Sequence, residues 1–161
     1  MSETDLRTLS ENVLKHLSDR NMRLITVESC TGGMICAALT GIPGSSSVIE
    51  GGLVTYSNAL KSSAAGVPES ILARYGAVSE ETARAMAEGA LCHAADATVA
   101  ISVTGIAGPD GGTTGKPVGT ICFGISVFQG MSHTERHIFS GDRADVRNAT
   151  VRHALEMLLK I

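Results

Sequence analysis

Apolar residues recur at intervals of three and four near both ends of the chain, the spacing that places them on one face of a helix. The pattern predicts a helix over about residues 4–20 and another over about 143–159, which Asp142 can cap. Shorter helices are predicted at residues 34–40, 59–65 and 68–75, and a longer one after Ser79.

Runs of β-branched residues alternate with these helices. Residues 97–104 form a near-continuous apolar run, typical of a strand that is covered on both faces. Strands at 118–128 and 132–139 predict an antiparallel hairpin. Further strands are expected at 23–27 and 47–56, the latter with a bulge or close backbone approach at Gly51-Gly52. The interleaved order predicts an α/β fold: one domain, residues 1–161, built as a three-layer α/β/α sandwich with a mixed, mostly parallel sheet.

Charge and composition exclude several classes of function. The 161 residues carry a net charge of −3 without a run of Lys or Arg, so no nucleic-acid partner is expected. The acidic, polar N-terminus is no signal peptide, and no apolar run approaches the ~20 residues of a membrane span. We therefore expect a cytoplasmic protein without a membrane partner. The four cysteines match no zinc or disulfide spacing and are expected to be small core residues.

The first candidate for chemistry is the turn that follows the strand at 23–27, with the sequence Glu28-Ser29-Cys30-Thr31-Gly32-Gly33. A glycine-rich turn between a strand and a helix exposes backbone amides that favour an anion. Ser29 is placed to attack a carbonyl whose oxygen these amides receive. The alternative is that Ser29 or Thr31 is simply a helix cap, and spacing favours that reading.

A nucleophilic serine needs a base, and none of the five histidines lies in a glycine-rich loop. A Ser-His-Asp triad is therefore not indicated. Tyr56 and Lys61 lie at the end of the second predicted strand and just beyond it, within reach of Ser29 if the two strands are neighbours. Burial would lower the pKa of Lys61 and let it act as a base. The alternatives are a solvated lysine and a half-buried strand tyrosine.

Two further segments are candidates for binding. The loop of residues 104–112 follows the most buried strand and is rich in glycine, which allows backbone to approach a ligand. It is either a binding loop or a flexible connector. Arg143, at the start of the last helix, either contacts a phosphate or pairs with Asp142 or Asp145.

Together these segments resemble one family closely, the CinA C-terminal-domain family. The resemblance spans nearly the whole chain in order. It is carried by VESCTGG at 27–33, GLVTYSN at 52–58 with Lys61, GAVS at 76–79, TGIAGPDGG at 104–112, KPVGT at 116–120 and FSGDR at 139–143.

The resemblance implies the stand-alone, amidohydrolase form of the family. Its reaction would convert nicotinamide mononucleotide into nicotinate mononucleotide and ammonia, in pyridine-nucleotide salvage, by a serine–lysine mechanism without a metal or other cofactor. Carried over by position, Ser29 would be the nucleophile, Lys61 the general base, and Tyr56 a residue that orients or relays the proton. Substrate or oxyanion contacts would come from Thr31, Gly32, Gly33, Thr104, Gly105, Ala107 and Arg143.

Two alternatives stay open. Because many family members are named for competence or DNA-damage induction, one is a non-catalytic nucleotide-binding or regulatory domain. The other is a hydrolase that uses the Cys30 thiol as its nucleophile. A homodimer is expected from the small apolar residues of the helices.

Overall fold

The computed structural model of the protein describes residues 3–161, so residues 1 and 2 of the predicted domain lie outside the described residues. The strands are β1 (Leu24–Glu28), β2 (Ile49–Val54), β3 (Val99–Gly105), β4 (Thr120–Val127) and β5 (Ser132–Ile138). The helices are α1 (Glu3–Ser18), α2 (Met34–Thr40), α3 (Asn58–Ala65), α4 (Glu69–Tyr75), α5 (Glu80–His93) and α6 (Arg143–Leu158). None of these helices is both long and apolar enough to cross a membrane.

The five strands form one sheet in the order β2-β1-β3-β4-β5. β1 pairs in parallel with both β2 and β3, whereas β4 is antiparallel to β3 and to β5. Four strands therefore run in one direction and β4 runs against them, which confirms the mixed sheet. The chain reverses between β3 and β4 through residues 106–119 and again through the β4–β5 hairpin, whose turn contains Gln129 in a left-handed conformation with φ 55.

Helices cover both faces of the sheet, as the sandwich prediction required. α1, α2 and α6 contact one another on one face, and α3, α4 and α5 pack on the other. Each face has its own apolar core, with Phe123 and Leu155 buried in the first and Met86 and Val67 in the second. Because β1, β2 and β3 are parallel, their carboxyl ends meet at one edge of the sheet, where ligands usually bind in this architecture.

The glycine pair of β2 has both features expected from the sequence. The pairing register of β1 and β2 shifts between Leu24 and Ile25, which leaves an extra residue in β2 immediately before Gly51. A Cβ atom on Gly52 would lie 2.7 Å from Thr26 Oγ1 and 2.8 Å from Cys36 Sγ, so α2 can pack closely on β2 only with glycine there. β4 begins at Thr120 rather than the expected residue 118, because residues 117–119 form a turn.

Candidate active site

The turn after β1 is held by a buried carboxylate. Glu28 is 1% exposed, and its two oxygens accept hydrogen bonds from the backbone amides of Gly33 (3.0 Å), Ile35 (3.1 Å) and Cys36 (2.8 Å). These are amides at the start of α2, which have no partner within the helix. Glu28 therefore caps α2. The amide of Ser29 donates to the carbonyl of Val103 at 3.0 Å, which holds the serine against β3.

Lys61 approaches Ser29 from α3. The Ser57 hydroxyl caps this helix by accepting a hydrogen bond from the amide of Leu60. Nζ of Lys61 lies 3.0 Å from Oγ of Ser29 and donates to the carbonyl of Thr55 at 2.9 Å. Because β2 pairs with β1, these two contacts place the amine at the carboxyl end of β1, as the strand-neighbour argument expected.

Lys61 is almost completely buried, with 1% of its surface exposed. No carboxylate among the described side chains forms a salt bridge with it. Burial disfavours the charged form and lowers the pKa of Lys61 from its ordinary value of 10.5. The pair therefore consists of a hydroxyl beside an amine that is biased toward its neutral, basic form.

A cleft of about 210 Å³ opens beside this pair. Its walls come from the ends of β1 and β3, the start of α3 and the start of α6. Among the described residues, no histidine lines the cleft, so the residue next to Ser29 with basic character is Lys61. The lining residues are Ser29, Cys30, Tyr56, Asn58, Lys61, Ala77, Val78, Thr104, Gly105, Ala107 and Arg143.

Arg143 joins two parts of the cleft wall. Its Nη1 donates to the carbonyl of Gly108 at 2.8 Å, and its Nη2 donates to the hydroxyl of Tyr56 at 3.0 Å. Tyr56 is 60% exposed and has no hydrogen bond to Ser29 or Lys61 in the described part of the chain. Tyr56 therefore lies at the mouth of the cleft with Arg143, rather than between the nucleophile and the base. Arg143 does not pair with Asp142 or Asp145.

Thr104 and Gly105 form the part of the cleft wall that lies at the end of β3. The hydroxyl of Thr104 is buried and donates to the carbonyl of Ala77 at 2.7 Å, which fixes the segment before α5. A Cβ atom on Gly105 would lie 2.6 Å from the carbonyl oxygen of Thr120, so only glycine fits at this end of β3. Ala107, two residues further, is buried against the cleft.

The remaining predicted contact residues lie outside the cleft lining. The amide of Gly32 donates to the carbonyl of Ser29 at 3.1 Å, and the amide of Gly33 donates to Glu28. Both amides are thus used within the turn, which argues against their expected role as oxyanion or substrate donors. Thr31 is fully buried, and its hydroxyl has no hydrogen-bond partner within residues 3–161.

Comparison with known proteins assigns the family. The family model described as the CinA C-terminal domain matches residues 6–161. The chain belongs to this family. It is 48% identical over 158 residues to nicotinamide-nucleotide amidohydrolase PncC of Escherichia coli K12, covering 98% of this chain and 95% of that protein. It is 45% identical over 152 residues to a CinA-like protein of Akkermansia muciniphila, covering 94% of this chain and 36% of that protein.

A solved structure has the same fold. The competence/damage inducible protein CihA of Agrobacterium tumefaciens superposes with a TM-score of 0.93 at 41% identity, covering 97% of this chain and 94% of that chain. The family resemblance and the α/β sandwich expected from the sequence are both confirmed.

Sequence reasoning missed one residue that supports the site in this CinA-family chain. Arg147 donates from Nε to the carbonyl of Cys30 at 3.1 Å and from Nη2 to the carbonyl of Thr31 at 2.9 Å. It thereby clamps the turn that carries Ser29 onto α6. A signal was present, because Arg143 and Arg147 are four residues apart and so share one face of the helix.

Burial favours the neutral form of the thiol next to Ser29, as it does for the Lys61 amine, but the consequence for reactivity is the opposite. Cys30 is 5% exposed, and burial raises the pKa of its thiol to about 11. Only the thiolate is an effective nucleophile, so this environment suppresses its reactivity at neutral pH.

Proposed function

We propose that this protein is a nicotinamide-nucleotide amidohydrolase, which deamidates nicotinamide mononucleotide through Ser29 and Lys61. The observation that carries the proposal is the buried Nζ of Lys61, 3.0 Å from Oγ of Ser29 inside a cleft. The identity of 48% to Escherichia coli PncC over nearly all of both chains supports the same substrate. Production of nicotinate mononucleotide would serve pyridine-nucleotide salvage.

The proposed substrate complements the cleft at three points. Its carboxamide carbon is the electrophile for Ser29. Its cationic pyridine ring, placed near Lys61, would lower the pKa of the amine further and help to keep it neutral. Its phosphate is a partner for Arg143, whose guanidinium has five N–H donors and uses two of them on Gly108 and Tyr56.

In the first half of the reaction, neutral Lys61 removes the proton from the Ser29 hydroxyl as Oγ attacks the carboxamide carbon. The resulting tetrahedral intermediate carries a negative oxygen. Lys61, now an ammonium, returns its proton to the amide nitrogen, the C–N bond breaks, and ammonia leaves. An ester between Ser29 and the nicotinoyl group remains.

In the second half, water attacks this ester while Lys61 accepts a proton from the water. The tetrahedral intermediate collapses, the bond to Oγ breaks, and Lys61 returns the proton to Ser29. The products are nicotinate mononucleotide and the free enzyme. One lysine therefore acts as base and acid in turn, as the serine–lysine mechanism requires.

We assign the oxyanion to the amides of Cys30 and Ala107. Neither amide donates to a backbone carbonyl within residues 3–161, and both residues line the cleft. An amide directly after the nucleophile is a common oxyanion donor in serine hydrolases. Such preorganised donors usually contribute more to catalysis than any other single group.

The test is release of ammonia from nicotinamide mononucleotide by wild type and by matched variants. Ser29→Ala should abolish turnover, whereas Ser63→Ala, at an exposed serine of α3, should not change it. Undiminished turnover in Ser29→Ala together with loss in Cys30→Ala would transfer the nucleophile to the thiol. Binding of the nucleotide without any turnover by wild type would instead favour a non-catalytic nucleotide-binding domain.

A further inference from the structure

A second group of chemically active side chains lies outside the cleft. His133, Glu135 and His137 occupy alternate positions of β5, so their side chains share one face of this edge strand. His153, from α6, reaches the same point. None of these four residues lines the Ser29 cleft, and nothing in the proposed amidohydrolase reaction uses them.

Three of these side chains converge on one point. Nε2 of His137 lies 2.8 Å, and Nε2 of His153 lies 2.7 Å, from the same carboxylate oxygen of Glu135. Their ligand atoms all lie within 4.8 Å of one another. In a tetrahedral zinc site, ligands at about 2.0–2.2 Å from the metal are about 3.3 Å apart. Moving each imidazole away from the carboxylate by about half an ångström or slightly more would therefore admit an ion.

The space between the two imidazoles and the carboxylate, where a metal ion would bind, holds the protons of two hydrogen bonds. Both imidazoles can bond to the one oxygen only if each carries a proton on Nε2. A divalent cation bound to the two Nε2 atoms would take the place of these two protons and satisfy all three groups at once. Each proton would move to Nδ1 of its own ring or, from an imidazolium, leave to solvent. It would also suit the close approach of the two imidazoles, whose ring centroids are 4.1 Å apart.

Aromatic packing holds the ligand rings in place. His153 packs edge-on against Phe123 with centroids 4.8 Å apart, and His137 stacks on Phe139 at 5.8 Å with an interplanar angle of 10°. The side chain of His153 is 16% exposed and that of His137 38% exposed. The group is thus supported on its core side and open to solvent on the other, which leaves an entry path for an ion.

We propose that Glu135, His137 and His153 form a binding site for a divalent transition metal, with Zn²⁺ the best match. Two imidazoles and one carboxylate are a common zinc donor set, whereas Mg²⁺ and Ca²⁺ prefer oxygen ligands. The fourth position faces solvent and is available to water. Bound metal would join the edge strand β5 to α6, the helix whose first turns carry Arg143 and Arg147.

The test is calorimetric titration of Zn²⁺ into the untagged full chain carrying Cys92→Ser, which removes an exposed thiol that also attracts zinc. We expect one ion per chain. Each of His137→Gln, His153→Gln and Glu135→Gln should weaken binding by at least about tenfold, the lower bound for disturbing a metal site. His93→Gln, at an exposed histidine of α5, is the matched control and should bind as the parent does.

A second readout is independent of heat. Co²⁺ bound by these ligands should produce a visible absorption band that His153→Gln abolishes and His93→Gln retains. Circular dichroism shows whether each variant is folded, and the glutamine side chains preserve size and polarity. Absence of Zn²⁺ uptake by the folded parent, or uptake that the three substitutions leave unchanged, would overturn the proposal.

Discussion

Replacement of Lys61 by methionine should separate the role of its amine from that of its aliphatic chain. Methionine retains a flexible apolar chain of similar length, so the packing under α3 is largely preserved. The substitution removes the group that lies 3.0 Å from Ser29 Oγ and the hydrogen bond to the Thr55 carbonyl. Loss of general-base catalysis typically reduces a rate by about 10²–10⁴-fold, equivalent to about 3–5 kcal/mol of activation free energy.

The same substitution should not destabilise the fold. The lost hydrogen bond is worth about 1 kcal/mol, and burial of the amine already opposes folding at neutral pH. If Lys61 were half of a buried ion pair, its removal would cost about 3–5 kcal/mol. However, the hydrogen bonds to the Glu28 carboxylate come from three backbone amides and from Thr26, and none comes from Lys61.

The pH dependence of stability has a definite sign. Because the pKa of Lys61 is lower in the folded protein than its ordinary 10.5, the folded chain binds fewer protons between those two values. The free energy of unfolding should therefore rise with pH through this window in wild type, relative to Lys61→Met. At pH 7 the variant should be at least as stable as wild type.

Three measurements test this reasoning. Ammonia release gives kcat/KM, which in wild type should rise about tenfold per pH unit below the pKa of Lys61. Urea unfolding at pH 7 and pH 10 gives the stability difference, with Lys160→Met as the control at an exposed lysine. The reasoning is refuted if Lys61→Met retains turnover within tenfold of wild type, or loses about 3 kcal/mol or more of stability at pH 7.

Three further substitutions test the supports of the site. Arg147→Met should lower kcat about tenfold or more, with little change in KM, because it frees the carbonyls of the catalytic turn; an unchanged kcat would contradict the clamp. Glu28→Gln should lower the free energy of unfolding by about 2–4 kcal/mol in urea, since a buried carboxylate with three amide donors is lost; a neutral effect would contradict the capping role. In Gly89→Ala, the new Cβ would collide with the carbonyl of Ala65 in α3. The free energy of unfolding should fall by about 1–3 kcal/mol, and turnover should fall because α3 carries Lys61. Gly115→Ala is the control, since a Cβ there has open space, and it should change neither quantity.

Local signals in the sequence were sufficient to predict most of the helices and strands. The near-continuous apolar run of β3 and the short connection between β4 and β5 act over a few residues, so they predict a buried strand and a hairpin without knowledge of the rest of the chain. The same holds for Ser79 and Asp142, whose side chains cap α5 and α6 through amides two or three residues away. The family resemblance rests on residues in order along the chain and was likewise readable from the sequence.

The hydrogen-bond partners of the residues in the candidate site were decided only by the tertiary structure. The turn containing Gly32 and Gly33 has the sequence of an anion-binding loop, yet a carboxylate from its own strand occupies the Gly33 amide. Tyr56 is close to Lys61 along the chain, yet its hydroxyl bonds to Arg143, 87 residues away. Spacing cannot reveal such contacts, because each depends on which strands are neighbours and on which donor is nearer.

The difference has one physical origin. Helix and strand patterns, caps and the hairpin turn depend on interactions between near neighbours, which residue order specifies directly. Burial of Lys61, its approach to Ser29, the Arg147 clamp and the Glu135–His137–His153 group all join residues from separate elements. They arise only when the sheet order β2-β1-β3-β4-β5 brings those elements together and removes water from between them.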